Sequence, residues 1–414
     1  MSGGRRRRAL RRLALAAAML AAVSCAGEAR QGPPGDAGGA AAAPPSILLV
    51  TLDTTRADAI GPEAAGVETP AFDALAARGR RFTRAYATAP ETLPSHASML
   101  SGLTAAEHGV HENGRRLGEG VPLLAERLSG LGYATAAFVS GYPLDRRFGL
   151  ARGFALYDDE MAAGGGTERR ADATTERALA WLAAAPARPL FLWVHYYDPH
   201  DPYEPPPPFA EQYAEDPYLG EIAFVDAELG RLVAAFEERA GGRPVAIAVA
   251  GDHGEGLGDH DEAFHGHLLY QGVMRVPLVL AGDGVEVGVV ERPVSVRRLH
   301  DTLLAWAGGE GSRTLLRGGE ETVVAEAMRP YLQYGWRPQV MAVRGRWTAI
   351  RAGGEEADDV ELYDVDADPG ETDDLARRVE LPPELARALA DYPLPGTAGT
   401  AGTAGTAGAA APSA

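Results

Sequence analysis

Residues 245–267 read V-A-I-A-V-A-G-D-H-G-E-G-L-G-D-H-D-E-A-F-H-G-H. An apolar run, Val245 to Ala250, leads into Asp252-His253, and the chain then breaks into glycines. A short continuous apolar run is the pattern of a strand buried on both faces, and an acid and an imidazole at its end lie where open α/β sheets keep their ligands. Four histidines, His253, His260, His265 and His267, crowd this one stretch. Such a concentration of nitrogen and carboxylate donors at a strand end points to a metal or phosphoryl site.

The same layout occurs nearer the front of the chain. S46-I-L-L-V-T-L-D53 is a second apolar strand ending in an acid, followed by T-T-R-A-D58. Side by side in a parallel sheet, the two ends bring Asp53, Asp252 and His253 into one cluster. The ordinary role of a single strand-end Asp is to cap the next turn. Two strand ends together with a local histidine cluster favour a metal instead. Mixed carboxylate and imidazole suits Zn or Mn better than Ca, which prefers oxygen alone; Ca and Mg stay open, as does one ion or two. Further apolar runs, Ala134 to Val139, Leu190 to Val194 and Val276 to Leu280, alternate with helical patterns such as Leu219 to Phe236. This alternation predicts an α/β fold with a mainly parallel sheet.

A nucleophile is expected in P90-E-T-L-P-S-H-A-S-M-L-S-G102, a proline-containing turn followed by small residues that begin a helix. A hydroxyl at a helix start sits near unpaired N–H groups and the positive end of the dipole, which favour an alkoxide. Thr92 is the candidate, although the ordinary role of Thr92 or Ser95 there is that of an N-cap.

The succession I-L-L-V-T-L-D-T-T-R-A-D, T-P-A-F-D-A-L-A-A-R-G-R-R-F, T-L-P-S-H-A-S-M-L-S-G, F-L-W-V-H-Y-Y-D-P-H-D-P-Y, D-H-G-E-G-L-G-D-H, H-G-H-L-L-Y-Q-G-V-M-R-V-P and E-L-Y-D-V-D-A-D-P-G-E-T-D-D-L spans about residues 46–376. It resembles the sulfatase family of the alkaline phosphatase superfamily. The resemblance implies a doubly wound α/β domain with a small C-terminal α+β subdomain, one or two divalent metals, and attack on a sulfate or phosphate ester through a covalent intermediate. Several family features are replaced here. The position of the formylglycine precursor in C-x-P-S-R is Thr92, and that of its Arg is His96. The single cysteine is Cys25, and the chain contains no lysine, so the lysines that grip sulfate are missing. Thr54 stands where sulfatases carry the second acid of a D-D pair, which implies fewer oxygen ligands than a calcium-binding sulfatase has.

Thr nucleophiles with Asp and His ligands resemble those of the phosphodiesterases and the phosphoethanolamine transferases of the same superfamily. Carried over, the resemblance assigns Asp53, Thr92, Asp252 and His253 to the metal. Asn113 would contact a phosphoryl oxygen, His265 the substrate, and His200 the leaving group. His200, His265 and His267 are the expected proton donors and water activators, and His96, beside the nucleophile, is expected to be catalytic with them. Asp198 and His200 with His265 or His267 are an alternative second metal site, whereas His195 and His260 are expected to orient or pack.

The function expected is a metal-dependent hydrolase of the cell envelope, cleaving phosphoric or sulfuric esters through a Thr92 covalent intermediate. The alternatives are an arylsulfatase-like enzyme without formylglycine and a phosphoethanolamine-type transferase; a non-catalytic, metal-stabilised binding protein fits least. A net charge of −18 argues against nucleic acid as a partner. Residues 1–25 have a basic start, an apolar run and a small-residue exit at A22-V-S-C25, the pattern of a secretory signal. Export to the periplasm or outer envelope is expected, with Cys25 as a candidate lipid anchor. Residues 26–45 are expected to form a flexible linker, 46–315 the catalytic domain, 316–392 the C-terminal subdomain, and 393–414, with their repeated G-T-A triplets, a disordered tail. The segment Asp201 to Pro208 is expected to be a stiff loop at the site mouth.

Overall fold

The computed structural model describes residues 43–161, 166–353 and 359–394. The signal and Cys25, nearly all of the linker and nearly all of the tail lie outside the described residues. No helix among the described residues is long and apolar enough to cross a membrane.

The larger sheet contains β1 (Ser46–Leu52), β2 (Gly79–Tyr86), β3 (Ala134–Phe138), β4 (Leu156–Asp158), β5 (Leu190–Tyr196), β6 (Val245–Gly251), β7 (Arg275–Gly282), β8 (Gly288–Val290) and β9 (Val294–Ser295). Their order is β4-β3-β5-β1-β6-β7-β2-β8, with β9 beside β2. Pairings are parallel except those of β7 with β6 and with β2. All five apolar runs expected as strands are strands, and the fold is the expected mainly parallel α/β sheet.

Along β1, Ile47 and Leu49 enter one hydrophobic core while Leu48, Val50 and Leu52 enter another. The alternation of side chains in a strand therefore fills both faces. Helices Pro70–Arg78, Ala171–Ala184 and Pro217–Ala240 cover the second face through Phe72, Leu75, Ala178, Leu182, Phe224 and Phe236. Helices Thr92–Ser101 and Leu299–Trp306 cover the first, through Leu93, Ala97, Leu299 and Leu303.

The C-terminal sheet is antiparallel, β10 (Val323–Ala327), β11 (Gln339–Arg344), β12 (Trp347–Ala352) and β13 (Asp359–Asp364) in sequential order. The helix Pro383–Asp391 lays Leu385 and Leu389 on it, next to Val340, Ala342 and Leu362. Between β10 and β11 the chain makes one short helix, Arg329–Tyr334.

Candidate active site

Strand register builds the centre. β1 lies between β5 and β6, with Leu52 opposite Gly251 and Thr51 opposite His195. One step beyond the Leu52–Gly251 pair, both chains present an acid, Asp53 and Asp252, and the backbone remains joined there because Asp252 N–H donates to Leu52 O at 3.1 Å. Both carboxylates and His253 are fully buried.

The glycines after His253 let the loop fold back. A Cβ at Gly254 would lie 2.1 Å from Gly272 O, and one at Gly256 2.2 Å from Glu262 O, so only glycine fits at either position. Arg56 fastens this loop, donating to Glu255 O at 3.1 Å and to Asp259 at 2.8 Å. Thr54, at φ 46°, holds the left-handed turn that ends β1, and its hydroxyl donates to Pro199 O. With its hydroxyl engaged by Pro199 O, Thr54 brings no carboxylate to the cluster, in line with its replacing an acid.

Thr92 is the first residue of its helix, after the N-cap Glu91, and is not itself the cap. Its Oγ1 lies 3.3 Å from Asp53 Oδ2 and 3.4 Å from His253 Nε2. His253 Nδ1 faces Gly254 O at 2.9 Å; a carbonyl only accepts, so Nδ1 carries the proton and Nε2 offers a lone pair to the cluster. Asp53, Asp252 and His253 have donor atoms all within 4.8 Å of one another. Asp53 Oδ1 and Asp252 Oδ2 are buried without a hydrogen-bond partner. Burial, then the neighbouring Asp53, pushes Asp252 well above the usual carboxylate range. For Asp53 burial acts upward, but the hydrogen bond from His195 and the proximity of His253 outweigh it and hold the group below its ordinary value. Two buried carboxylates with orphaned oxygens resist joint ionisation unless a cation lies between them. The donor set fits a divalent metal.

His96, His195 and Asp252 form a second close grouping, but the histidine nitrogens there are already committed. His195 Nδ1 accepts from Ser140 N–H at 3.4 Å, which leaves Nε2–H to hold Asp53 Oδ2 at 3.1 Å. His96 Nδ1–H donates to Thr92 O at 2.7 Å, and its Nε2 meets Thr51 Oγ1 at 2.9 Å. Burial first, then His195, lowers the His96 pKa to about 3. The sequence expectation of a catalytic His96 is thus corrected: both nitrogens are used, and the ring, buried and neutral, positions the Thr92 turn. His195, expected to orient or pack, positions Asp53.

Asn113 Oδ1 accepts from Leu93 N–H at 2.8 Å, so its amide NH₂ is the part left for a substrate oxygen. His265 lies with its ring 4.5 Å from that of His253 and 5.3 Å from that of His200. His200 stacks on Tyr197 at 4.3 Å, and its Nδ1–H donates to Asp201 O at 2.8 Å. Glu255 joins this row: Oε1 lies 3.0 Å from His265 Nδ1, and Oε2 accepts from Tyr203 of the proline-rich loop at 3.2 Å. Burial raises Glu255 to about 7 and lowers His265 to about 3. His267 is placed apart. Its ring is 3.4 Å from Glu262 and packs beside Tyr334 and Trp336, and no hydrogen bond among the described residues joins it to the metal-ligand group. His260 stacks on Tyr270 at 3.5 Å, a packing role.

Sequence reasoning left two residues unassigned. Glu255 stood inside the glycine-rich motif without a partner to mark it. Arg329 comes from the C-terminal lobe, 3.9 Å from Glu91 Oε1. Burial raises Glu91 to about 7 and the Arg329 charge opposes that rise.

Residues 45–309 match the family model described as Sulfatase. A choline-sulfatase of Rhizobium meliloti (strain 1021) is 23% identical over 78% of this chain and 80% of its own length. The multifunctional alkaline phosphatase superfamily protein PehA of Trinickia caryophylli is 26% identical over 64% of this chain and 74% of its own. The phosphonate monoester hydrolase of Agrobacterium radiobacter shares the fold with a TM-score of 0.66 and 21% identity, over 81% of this chain and 92% of that one.

Proposed function

The chain belongs to the sulfatase family of ester hydrolases, and we propose that within it the protein is a metal-dependent phosphoesterase that uses Thr92 as a covalent nucleophile. The observation that carries this reading is the Thr92 hydroxyl, 3.3 Å from Asp53 and 3.4 Å from His253, at the position where a formylglycine-dependent sulfatase needs a cysteine. Phosphonate monoester hydrolase is the name of a structural neighbour, and phosphate and phosphonate esters are the substrate class we favour over sulfates.

Asp53, Asp252, His253 and Thr92 Oγ1 would hold the ion, Zn or Mn by the mixed donor set. When bound, such an ion supplies the positive charge that lowers the hydroxyl pKa and neutralises phosphoryl oxygens. His195 and His96 keep the ligand carboxylate and the Thr92 turn in place. Thr92, its hydroxyl proton released to solvent, bonds through Oγ to phosphorus as the ester P–O bond breaks, and the departing oxygen takes a proton from the His265–Glu255 pair or from His200. Water then attacks phosphorus, its proton returning to the group that gave one up, as the Oγ–P bond breaks and Thr92 Oγ leaves in the state in which it began. The Asn113 amide steadies a phosphoryl oxygen. The compartment we infer is the cell envelope, from the basic and apolar pattern before Cys25.

Purified, metal-loaded protein assayed with 4-nitrophenyl phosphate, phenyl phosphonate esters and 4-nitrophenyl sulfate tests the reading. Phosphate or phosphonate esters should be the better substrates, and Thr92→Ala should cost several orders of magnitude because the covalent route is removed. Intact-mass analysis after acid quench should find phosphate on the Thr92 peptide. A fast sulfatase rate that Thr92→Ala leaves unaltered would overturn it.

A further inference from the structure

Three consecutive residues carry the chain from the reaction centre to the surface. His265 packs against His253, while a Cβ at Gly266 would meet Arg329 at 2.8 Å and Glu91 at 3.6 Å. His267 faces Tyr334 at 6.1 Å, nearly parallel at 21°, and Trp336 at 6.2 Å. Consecutive Cα atoms are about 3.8 Å apart, so the aromatic group begins within about 8 Å of chain from the imidazole beside the metal ligands.

The Arg329–Tyr334 helix is tied to the nucleophile's surroundings at both ends. Arg329 faces Glu91, the residue before Thr92, and Gln333 Nε2–H donates to Glu112 Oε2 at 3.0 Å, next to Asn113. Tyr334 and Trp336 lie 5.3 Å apart yet are 52% and 60% exposed. Large aromatics left in water as a contiguous group, held rigidly at the rim of a catalytic centre, mark a ligand surface. Their flat faces and their distance from the phosphoryl site suit the non-reacting half of the ester.

We propose that His267, Tyr334 and Trp336 form a subsite that stacks a flat-faced ring in the alcohol half of the substrate, an aryl or a pyranose ring, with Arg329 beside the anionic end. The proposal rests on the phosphoester reading for the neighbouring centre but is tested by binding. Zn-loaded Thr92→Ala protein is titrated by calorimetry with phenylphosphonate, methylphosphonate and a pyranose phosphate, and again with Tyr334→Ala/Trp336→Ala added. Stacking predicts that phenylphosphonate binds about five- to tenfold tighter than methylphosphonate, and that this ratio collapses towards one in the double variant. Collapse for the phenyl probe alone assigns an aryl ring, and collapse for the pyranose probe as well assigns a sugar. A phenyl-to-methyl ratio of one before substitution, or one that survives the double substitution, overturns the subsite. Failure of the phosphoester reading shows separately, as binding of none of the three probes by metal-loaded protein.

Discussion

The carboxyl edge of the large sheet and the Arg329–Trp336 segment of the C-terminal lobe meet at the His265–His267 turn, yet opposite rules build them. At the sheet edge Asp53, Asp252, His253, His195 and His96 are fully buried and polar, placed by strand register, with His96 and His195 hydrogen-bonded at both ring nitrogens. At the rim Tyr334 and Trp336 are exposed, and a helix of six residues anchored by Arg329 and Gln333 sets their positions. The difference separates chemistry from selection. Groups that share charge must be out of water and fixed, whereas groups that accept a varied ring must face solvent.

The sharpest way to break this comparison is at the buried side. Asp252→Ala removes one of three clustered donors and should lose metal and activity together, by about a thousandfold or more in kcat/KM. Metal content after dialysis and steady-state rates check it; stoichiometric metal in the variant would refute the ligand assignment. Removing the metal from wild-type protein with chelator should lower Tm, because the paired carboxylates then lack their cation.

A smaller effect is expected where the two regions touch. Arg329→Ala should leave metal content intact but reduce kcat/KM for anionic esters by about ten- to a hundredfold, chiefly through KM, since one charge-assisted contact is at stake. Arg329→Lys should recover part of the loss. An unchanged KM would confine the lobe to a scaffolding role.

The two regions also differ in how far the chain betrays them. Apolar runs ending in Asp53 and Asp252 told their own story, since a strand buried on both faces leaves no alternation of polar residues and its last acid must lie at the edge. β2 was harder: R80-R-F-T-R84 mixes arginines into a strand, because β2 lies toward the sheet margin, where long side chains reach solvent. The reversed direction of β7 left no mark, as apolar runs read alike either way. His96 looked catalytic from its place in the motif, and only the commitment of both ring nitrogens revealed a positioning role. Arg329 had no local signal at all, being brought to Glu91 by packing of a second sheet some 240 residues later (329 − 91 = 238).

The smallest effect concerns how that second sheet is held. His111 Nδ1–H donates to Glu326 Oε1 on β10, and Glu326, buried, also accepts from Tyr392 at 2.6 Å. The hydrogen bond to Glu326 raises the His111 pKa above its ordinary 6.5, more than burial lowers it; Arg115 opposes the rise and Glu112 supports it. A base whose folded pKa is raised contributes its full stabilisation below the unfolded value and loses it as pH climbs through the folded one. His111→Gln should therefore cost about 2 kcal/mol at pH 6, in the range of a hydrogen bond to a charged group, and less than half of that at pH 9. Denaturant unfolding of both proteins at the two pH values measures it, while metal content and the preference for ring-bearing ligands should stay in place if the pair serves only to dock β10. An equal cost at both pH values would mean that the His111 ring packs without its charge.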